Sequence, residues 1–225
     1  MPRVIGGVCG MRRSVIVVLS GLAASLSAAA ETPPPQAPQL SVPGVRLETR
    51  PSTGLWMGSK HILLEQTTLY DVQKAAGAGA LANNHADAGA GMRWLCYTNL
   101  WTTPIERIWF TSHREMGGPE ARLMRVTAEL LPAGVASADC PALPKTLTPV
   151  RLDNGLWLND LESSVEPLVG ASIASDEEWQ QFGYAGKVPG SGGCAPDGFD
   201  QLNGLTVQVR TGRVSFIVIS QVTTC

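Results

Sequence analysis

The chain has 225 residues, of which 44% are hydrophobic, and a formal net charge of −2. This length is enough for one bilobed domain or two small domains around a hydrophobic core. The charge and the scattered lysines and arginines exclude nucleic acid as an expected partner, because phosphate binding needs clustered basic side chains.

The first 30 residues have the pattern of an export signal. Arg12-Arg13 precedes an apolar run over residues 15–26, and Ala28-Ala29-Ala30 follows as a cleavage site. We therefore predict that residues 1–30 are a signal peptide and that the protein is periplasmic or secreted. The apolar run is short for a bilayer span, so no stable span is expected after cleavage. An uncleaved anchor and a start at Met11 are the alternatives.

The mature chain would open with a proline-rich segment. Loss of residues 1–30 removes three arginines and no acidic residue, which leaves 14 basic against 19 acidic residues and a formal charge of about −5. Residues 31–44 contain Pro33-Pro34-Pro35, Pro38 and Pro43. This composition favours an extended, semi-rigid linker that carries no fold.

Two stretches about a hundred residues apart have similar sequences. Residues 45–48 and 54–56 read Val-Arg-Leu-Glu and Gly-Leu-Trp, and residues 150–153 and 155–157 read Val-Arg-Leu-Asp and Gly-Leu-Trp. A polar segment and a closing glycine, Gly77 or Gly170, follow each pair. We interpret the pattern as a tandem duplication with a first unit at 45–140 and a second unit at 141–225.

Each unit is predicted to be α+β, with one or two short helices packed on a three- or four-stranded antiparallel sheet. Thr68-x-x-Asp71 is a capping-box variant, and Gly77 ends the helix that follows it. Ser175-x-x-Glu178 indicates a short helix through Phe182. Apolar and aromatic segments predict strands over residues 92–98, 105–112, 123–131, 205–210 and 214–220.

Pro167 lies where the first helix of the second unit would continue. Either that helix begins as late as Ser163 or Ser164, which places the proline in its first turn, or the proline kinks it. The sequence leaves both possibilities open.

Alternation along the predicted strands assigns side chains to the two faces of the sheet. Ile108 and Phe110 are expected to face the helices, which leaves Arg107 and Trp109 on the outer side. The remaining residues expected against the helices are Met124, Val126, Ala128, Leu130, Val214, Phe216 and Val218. The remaining residues expected on the outer side are Ser215, Ile217 and Ile219.

Four cysteines follow the predicted signal, an even number in a chain bound for an oxidising compartment. The sequence allows three pairings of these cysteines, and the repeat selects one. Each unit has one cysteine in its middle and another beyond its last predicted strand. We predict two disulfides, Cys96 with Cys140 and Cys194 with Cys225.

The tandem units, the Gly-Leu-Trp turns and the cysteine placement resemble the β-lactamase inhibitor protein architecture over roughly residues 45–225. A single unit also resembles the small outer-membrane assembly lipoproteins of the Bam-complex type, in which a similar acid-rich helix start closes in a glycine, as at Val72 to Gly77 and Val165 to Gly170. The resemblance implies an inhibitor-like protein-binding role. The lipoprotein attachment signal is absent, because no cysteine follows Ala30 directly.

The sequence contains no motif that indicates catalysis. Its histidines, His61, His85 and His113, form no His-Glu-x-x-His pattern, and Gly-x-Ser-x-Gly and phosphate-binding glycine loops are absent. Close cysteine and histidine spacing of the kind that binds zinc is also absent. We therefore expect no catalytic residues, no metal site and no cofactor.

Aromatic residues cluster between positions 94 and 110, where they offer anchors for a protein partner or fill a core. The predicted partner-binding residues are Trp94, Tyr97, Trp101, Arg107 and Trp109. We expect an exported, disulfide-stapled protein-binding module without catalytic activity, whose partner is another envelope or extracellular protein. A bacterial envelope assembly or structural factor and a periplasmic enzyme are the alternatives.

Overall fold

A computed structural model describes residues 32–38, 48–84, 91–118, 120–132, 140–189 and 198–224. The predicted signal peptide, residues 1–30, lies outside these ranges. The described strands are β1 (Gly54–Met57), β2 (Lys60–Leu63), β3 (Ala82–Asn83), β4 (Met92–Asn99), β5 (Glu106–His113), β6 (Arg125–Leu130), β7 (Val150–Leu152), β8 (Ala174–Ser175), β9 (Trp179–Val188), β10 (Phe199–Arg210) and β11 (Arg213–Thr224). The helices are α1 (Leu69–Ala76) and α2 (Val165–Val169).

The described strands form two antiparallel sheets. The large sheet has eight strands in the order β3-β4-β5-β6-β11-β10-β9-β8, and the small sheet has the order β2-β1-β7. One face of the large sheet, the inner face, packs against α1 and the small sheet in a single hydrophobic core. No described helix is long and apolar enough to cross a membrane.

The predicted α+β class with two similar units is wrong. The described part of the chain is mostly β, and its two helices are short. The two halves also share both sheets, because β6 pairs with β11 and β1 pairs with β7. The duplicated sequences have different structures, since Gly54–Met57 is a strand whereas residues 155–157 are irregular.

The helix predicted after Ser175 is instead a hairpin between β8 and β9. The Asp176 carboxylate accepts hydrogen bonds from the backbone N–H groups of Glu178 and Trp179, at 3.1 and 2.8 Å, and so closes a tight turn. Trp179 then begins a ten-residue strand that pairs along its whole length with β10. Long-range strand pairing therefore overrides a weak local capping pattern.

The helix α1 forms as predicted. Thr68 caps it, with its hydroxyl accepting from Asp71 N and the Asp71 carboxylate accepting from Thr68 N. Gly77, with φ of 68°, ends it in the left-handed conformation. Pro167 lies within the first turn of α2, which begins at Val165 after a short 3₁₀ turn. The structure thus selects the late start over the kink.

A β-bulge reverses the predicted faces of the β11 side chains beyond Val214. The register between β10 and β11 shifts at Gln208/Val209, so the alternation along β11 is offset beyond Val214. Ile217 and Ile219 are therefore in the core, opposite to the predicted assignment. Phe216 packs edge-to-face on Trp179, at 5.4 Å between ring centroids.

The predicted disulfide between Cys96 and Cys140 is present. Both cysteines are buried against Trp94 and Trp109. The second predicted pair, Cys194 with Cys225, lies outside the described residues. The Cys96–Cys140 bond ties the centre of β4 to the segment that precedes β7.

Replacing Cys96 and Cys140 together by alanine should lower the free energy of unfolding by up to about 4 kcal/mol. The bond closes a loop of 44 residues, and its loss restores that entropy to the unfolded chain. Denaturant titration of the oxidised wild type and the variant measures the difference. Equal midpoints and slopes would show that the bond contributes no stability.

The Glu106 side chain is buried on the inner face. Its carboxylate accepts a hydrogen bond from Asn99 Nδ2 at 2.7 Å. Burial raises the pKa of Glu106, and the Asn99 hydrogen bond offsets this only in part. The folded protein therefore binds this proton more tightly than the unfolded chain. The resulting stability is present below about pH 4.3 and is lost as pH rises through the raised pKa.

Replacing Glu106 by glutamine should make the protein more stable than the wild type at pH 7, with a smaller difference at pH 4. Glutamine keeps an acceptor for Asn99 but has no charge to bury. Unfolding curves at both pH values measure the effect, with Glu120→Gln on the exposed surface as the matched control. A difference that does not vary with pH would contradict the assignment.

Candidate functional site

The second face of the large sheet, here called the outer face, carries aligned rows of side chains across its strands. Strand pairing places Trp94, Thr111 and Arg125 in a first row, Cys96, Trp109 and Thr127 in a second, and Thr98, Arg107 and Glu129 in a third. Ile108 and Phe110 lie in the core, so the predicted outward orientation of Arg107 and Trp109 is confirmed.

Small side chains predominate on the outer face towards β9. The first row continues through Ser220, Gly204 and Gly183, and the second continues through Val218, Thr206 and Gln181. Most of these side chains are small, and we call the band that they form across the strands the trough. Phe216 and Trp179 continue the third row, beside the trough, and their rings pack edge-to-face.

A proline-rich segment crosses this trough. Residues 32–38, here called the strap, begin where Trp109 Nε1 donates to the Thr32 carbonyl at 2.8 Å. They end where Gln181 Nε2 donates to the Pro38 carbonyl at 2.9 Å. Pro34 is buried between these two points. The extended, semi-rigid linker over residues 31–44 stays a prediction; residues 32–38 lie against the sheet, and the other residues of that range lie outside the description.

The length of the strap matches the width of the sheet that it crosses. Trp109 and Gln181 lie in the same cross-strand row on β5 and β9, four strand spacings apart, which is about 19 Å. The six residue-to-residue rises from Thr32 to Pro38 also span about 19 Å in a polyproline II helix. The strap is thus extended across the strands, with a hydrogen bond at each end.

The five predicted partner-binding residues have different environments. Trp94, Arg107 and Trp109 are on the outer face but have exposures of 6%, 9% and 1%. Tyr97 is on the inner face, fully buried, and its hydroxyl donates to the Ala78 carbonyl at 2.8 Å. Trp101 is 53% exposed in the loop after β4. The structure therefore does not bring the five together as one open aromatic surface.

Trp101 is held against a neighbouring loop. Its indole Nε1 donates to the Leu143 carbonyl at 2.8 Å, and the Lys145 ammonium lies 5.4 Å from the ring centroid. These contacts join the β4–β5 connection to the segment after Cys140. Trp101 is remote in sequence and in contacts from the strap, which makes it a suitable control for Trp109.

Arg107 and Glu129 form an ion pair at 4.0 Å beside the trough. The Arg107 guanidinium also lies 5.6 Å from the centroid of the Trp109 ring. Burial raises the pKa of Glu129, and the Arg107 charge opposes that rise. The Arg107 guanidinium thus lies near the indole that donates to Thr32.

His61 and Asp153 form a second polar cluster, on the small sheet. His61 Nε2 and Asp153 Oδ1 are 2.8 Å apart, and the His61 ring stacks on Trp56 at 4.2 Å between centroids. Thr53 Oγ1 also donates to Asp153, so the hydroxyl contacts the carboxylate and not the imidazole. A hydroxyl nucleophile needs the imidazole as its base, and this geometry does not provide one.

The other histidines add no catalytic group to the described residues. Burial lowers the pKa of His113, which favours the neutral imidazole. His85 lies outside the described residues. Within the described ranges, no cluster of three histidine, cysteine or acidic side chains could hold a metal ion.

Comparison with known proteins identifies no relative. No family model, no curated protein and no solved structure matches the chain. The resemblance to inhibitor and assembly proteins consequently has no support beyond the residues that suggested it.

The sequence analysis did not predict that the strap contacts Trp109. The proline run and the aromatic cluster are each visible in the sequence, and proline-rich segments characteristically bind aromatic surfaces. Their juxtaposition depends on a contact between residues separated by 77 positions. The sequence signal that could have predicted this contact is the chemical complementarity between the proline run and the aromatic cluster.

Replacing Trp109 by phenylalanine should cost about 1–2 kcal/mol of unfolding free energy, because it removes the hydrogen bond to Thr32 from a buried site. The hydrogen-bond part of this cost should disappear in a variant of the mature chain, here called the strap variant, in which Pro33, Pro34 and Pro35 are all replaced by glycine. The packing cost of the smaller ring should remain, because Trp109 also packs against Trp94 and the disulfide. Denaturant titration of the four proteins gives the coupling energy.

Trp101→Phe is the matched control, since that indole also donates to a backbone carbonyl but far from the strap. Its cost should be the same in both backgrounds. Additive effects of Trp109→Phe and the strap substitutions would mean that the ring and the strap do not interact.

Proposed function

We propose that this protein is an exported, non-catalytic protein-binding module whose outer face holds an extended proline-rich segment of a partner protein. The observation that supports this function best is the strap, which already occupies that face with two side-chain hydrogen bonds to its carbonyls. The partner is another envelope or extracellular protein.

The chemistry of the outer face suits a polyproline II ligand. Such a segment makes no internal hydrogen bonds and presents free carbonyls, which the Trp109 indole and the Gln181 amide can bind. Proline supplies no backbone N–H that would need a partner, and its fixed φ reduces the entropy lost on binding. A shallow trough beside aromatic rings is the usual receptor for these segments.

The strap would compete with a partner for the same trough. A ligand that must displace an intramolecular segment binds with an affinity reduced by the fraction of open protein. Weakening the strap should therefore increase affinity for a free proline-rich peptide. An envelope assembly role or an enzymatic role gains no comparable observation from the described residues.

The acetylated and amidated peptide Thr-Pro-Pro-Pro-Gln-Ala-Pro, which repeats residues 32–38, should bind the strap variant at least tenfold more tightly than the wild type. Fluorescence polarisation of a labelled peptide measures both affinities. Trp109→Phe in the strap variant should weaken binding, and Trp101→Phe should leave it unchanged.

A peptide with glycine at its three consecutive proline positions serves as the ligand control and should bind at least tenfold more weakly. Equal binding of the two peptides, or absence of binding to a correctly folded strap variant, would overturn the proposed function.

A further inference from the structure

A cavity of about 560 Å³ opens on the surface between β2 and α1. Three of its lining residues are apolar and are here called the floor: Ile62 is buried, and Leu63 and Ala75 are half-buried. The other lining residues are polar, namely Lys60, His61, Gln66, Thr67, Asp71 and Lys74. Sites for small molecules have volumes in this range and combine an apolar lining with a few polar groups.

The walls of the cavity belong to elements that the core holds in place. β2 is an edge strand of the small sheet, and its Ile62 side chain is part of the core. The helix α1 buries one stripe of side chains in the same core, and a neighbouring stripe, Asp71, Lys74 and Ala75, lines the cavity. The shape of the cavity is therefore fixed by the packing of the small sheet and α1.

Two lysines give this cavity an excess of positive charge. Lys60 is on β2 and Lys74 is on α1, so each wall contributes one ammonium group. None of the ion pairs among the described residues includes either lysine. Asp71 is the one acidic residue of the lining, so it can offset only one of the two charges.

The Asp71 carboxylate is already engaged at the start of α1. Its Oδ2 accepts from Thr68 N at 3.0 Å and from Thr68 Oγ1 at 2.7 Å. These hydrogen bonds are the main reason that the pKa of Asp71 is lowered, and the Lys74 charge adds to them. Asp71 therefore caps the helix, and the charge of Lys60 has no counterpart in the lining.

The edge of β2 adds a backbone donor to the two lysines. Leu63 N points away from β1, because it donates to Thr67 Oγ1 at 2.9 Å. His61 is two residues earlier on the same strand, so its backbone N–H points to the same side, along the edge that lines the cavity. The donors of the cavity thus suit an anionic group, and the floor suits an apolar one.

We propose that this cavity binds a small molecule with a carboxylate on an apolar chain, the carboxylate between Lys60 and Lys74 and the chain on the floor. An ammonium group binds a carboxylate through charge-assisted hydrogen bonds, which an alcohol or an amine does not offer here. The apolar stems of the two lysines extend the surface available to the chain. The cavity shares no residue with the outer face, so it is independent of the proposed function.

The test uses the mature, oxidised protein and three ligands, each below the concentration at which it forms micelles. Sodium octanoate has the charge and the chain, 1-octanol has the chain alone, and sodium acetate has the charge alone. We expect octanoate to bind about tenfold more tightly than either, because only octanoate uses both the floor and the lysines. Its advantage over octanol should shrink as salt screens the charges. Isothermal titration calorimetry measures the affinities.

Lys60→Met and Lys74→Met should each weaken octanoate binding about two- to fivefold, the effect expected of an exposed charge pair, and should leave octanol binding unchanged. Methionine keeps an apolar stem without the charge. Lys187→Met is the matched control, since Lys187 is an exposed lysine on β9, outside the cavity. Ala75→Phe should abolish octanoate binding, because the larger ring fills the cavity without changing its charge.

Octanol that binds as tightly as octanoate, or lysine variants that bind octanoate as the Lys187→Met control does, would overturn the carboxylate ligand. Acetate that binds as tightly as octanoate would overturn the role of the floor. Octanoate binding that persists in a folded Ala75→Phe variant would place the ligand elsewhere, and absence of octanoate binding to the wild type would overturn the site itself. The strap variant should bind octanoate as the wild type does, and a different affinity would contradict a site that is independent of the strap.

Discussion

The pairing of β6 with β11 is the constraint on which the rest of this structure depends. Five residue pairs, from Phe216 with Glu129 to Ser220 with Arg125, join the two halves of the chain into one eight-stranded sheet. Without them, both halves would expose unpaired strand edges. With them, the inner face supports one continuous core and the outer face becomes wide enough to hold an extended segment across five strands.

The outer face is the surface of the large sheet that does not pack on the main core. Antiparallel sheets usually pack one face on the core and leave the other to solvent. Here the outer face has buried aromatic rings, a disulfide and an ion pair near β5, and small side chains towards β9. The strap runs from the first of these regions to the second. The same features that bury the strap, a donor to each terminal carbonyl and a trough of matching length, are what a proline-rich partner would use.

Local features of this fold could be predicted from the sequence. The capping box at Thr68 and Asp71, the left-handed glycine at Gly77 and the strand alternation at Ile108 and Phe110 each depend on residues close together in the chain. The Cys96–Cys140 pair was also predicted correctly. This pairing was predicted from the sequence repeat, although the two copies of the repeat have different structures.

The features that were predicted wrongly or not predicted depend on contacts between residues that are distant in the sequence. Pairing of β6 with β11 has no local signature, so two separate sheets and one merged sheet are equally compatible with the strand pattern. The bulge at Gln208/Val209 inverts the assignments of Ile217 and Ile219 without an obvious sequence signal. Three of the five predicted partner-binding residues, Trp94, Arg107 and Trp109, lie on the outer face, where all three are buried.

The strap is held on the outer face by Trp109. The most direct measurement is a proton NMR spectrum of the mature, oxidised protein with labelled indole nitrogens. We expect the Trp109 indole N–H to exchange slowly with solvent and to show a nuclear Overhauser effect to Thr32, and we expect both to be lost in the strap variant, which retains Thr32. Rapid exchange, or an indole signal identical in the two proteins, would contradict the account.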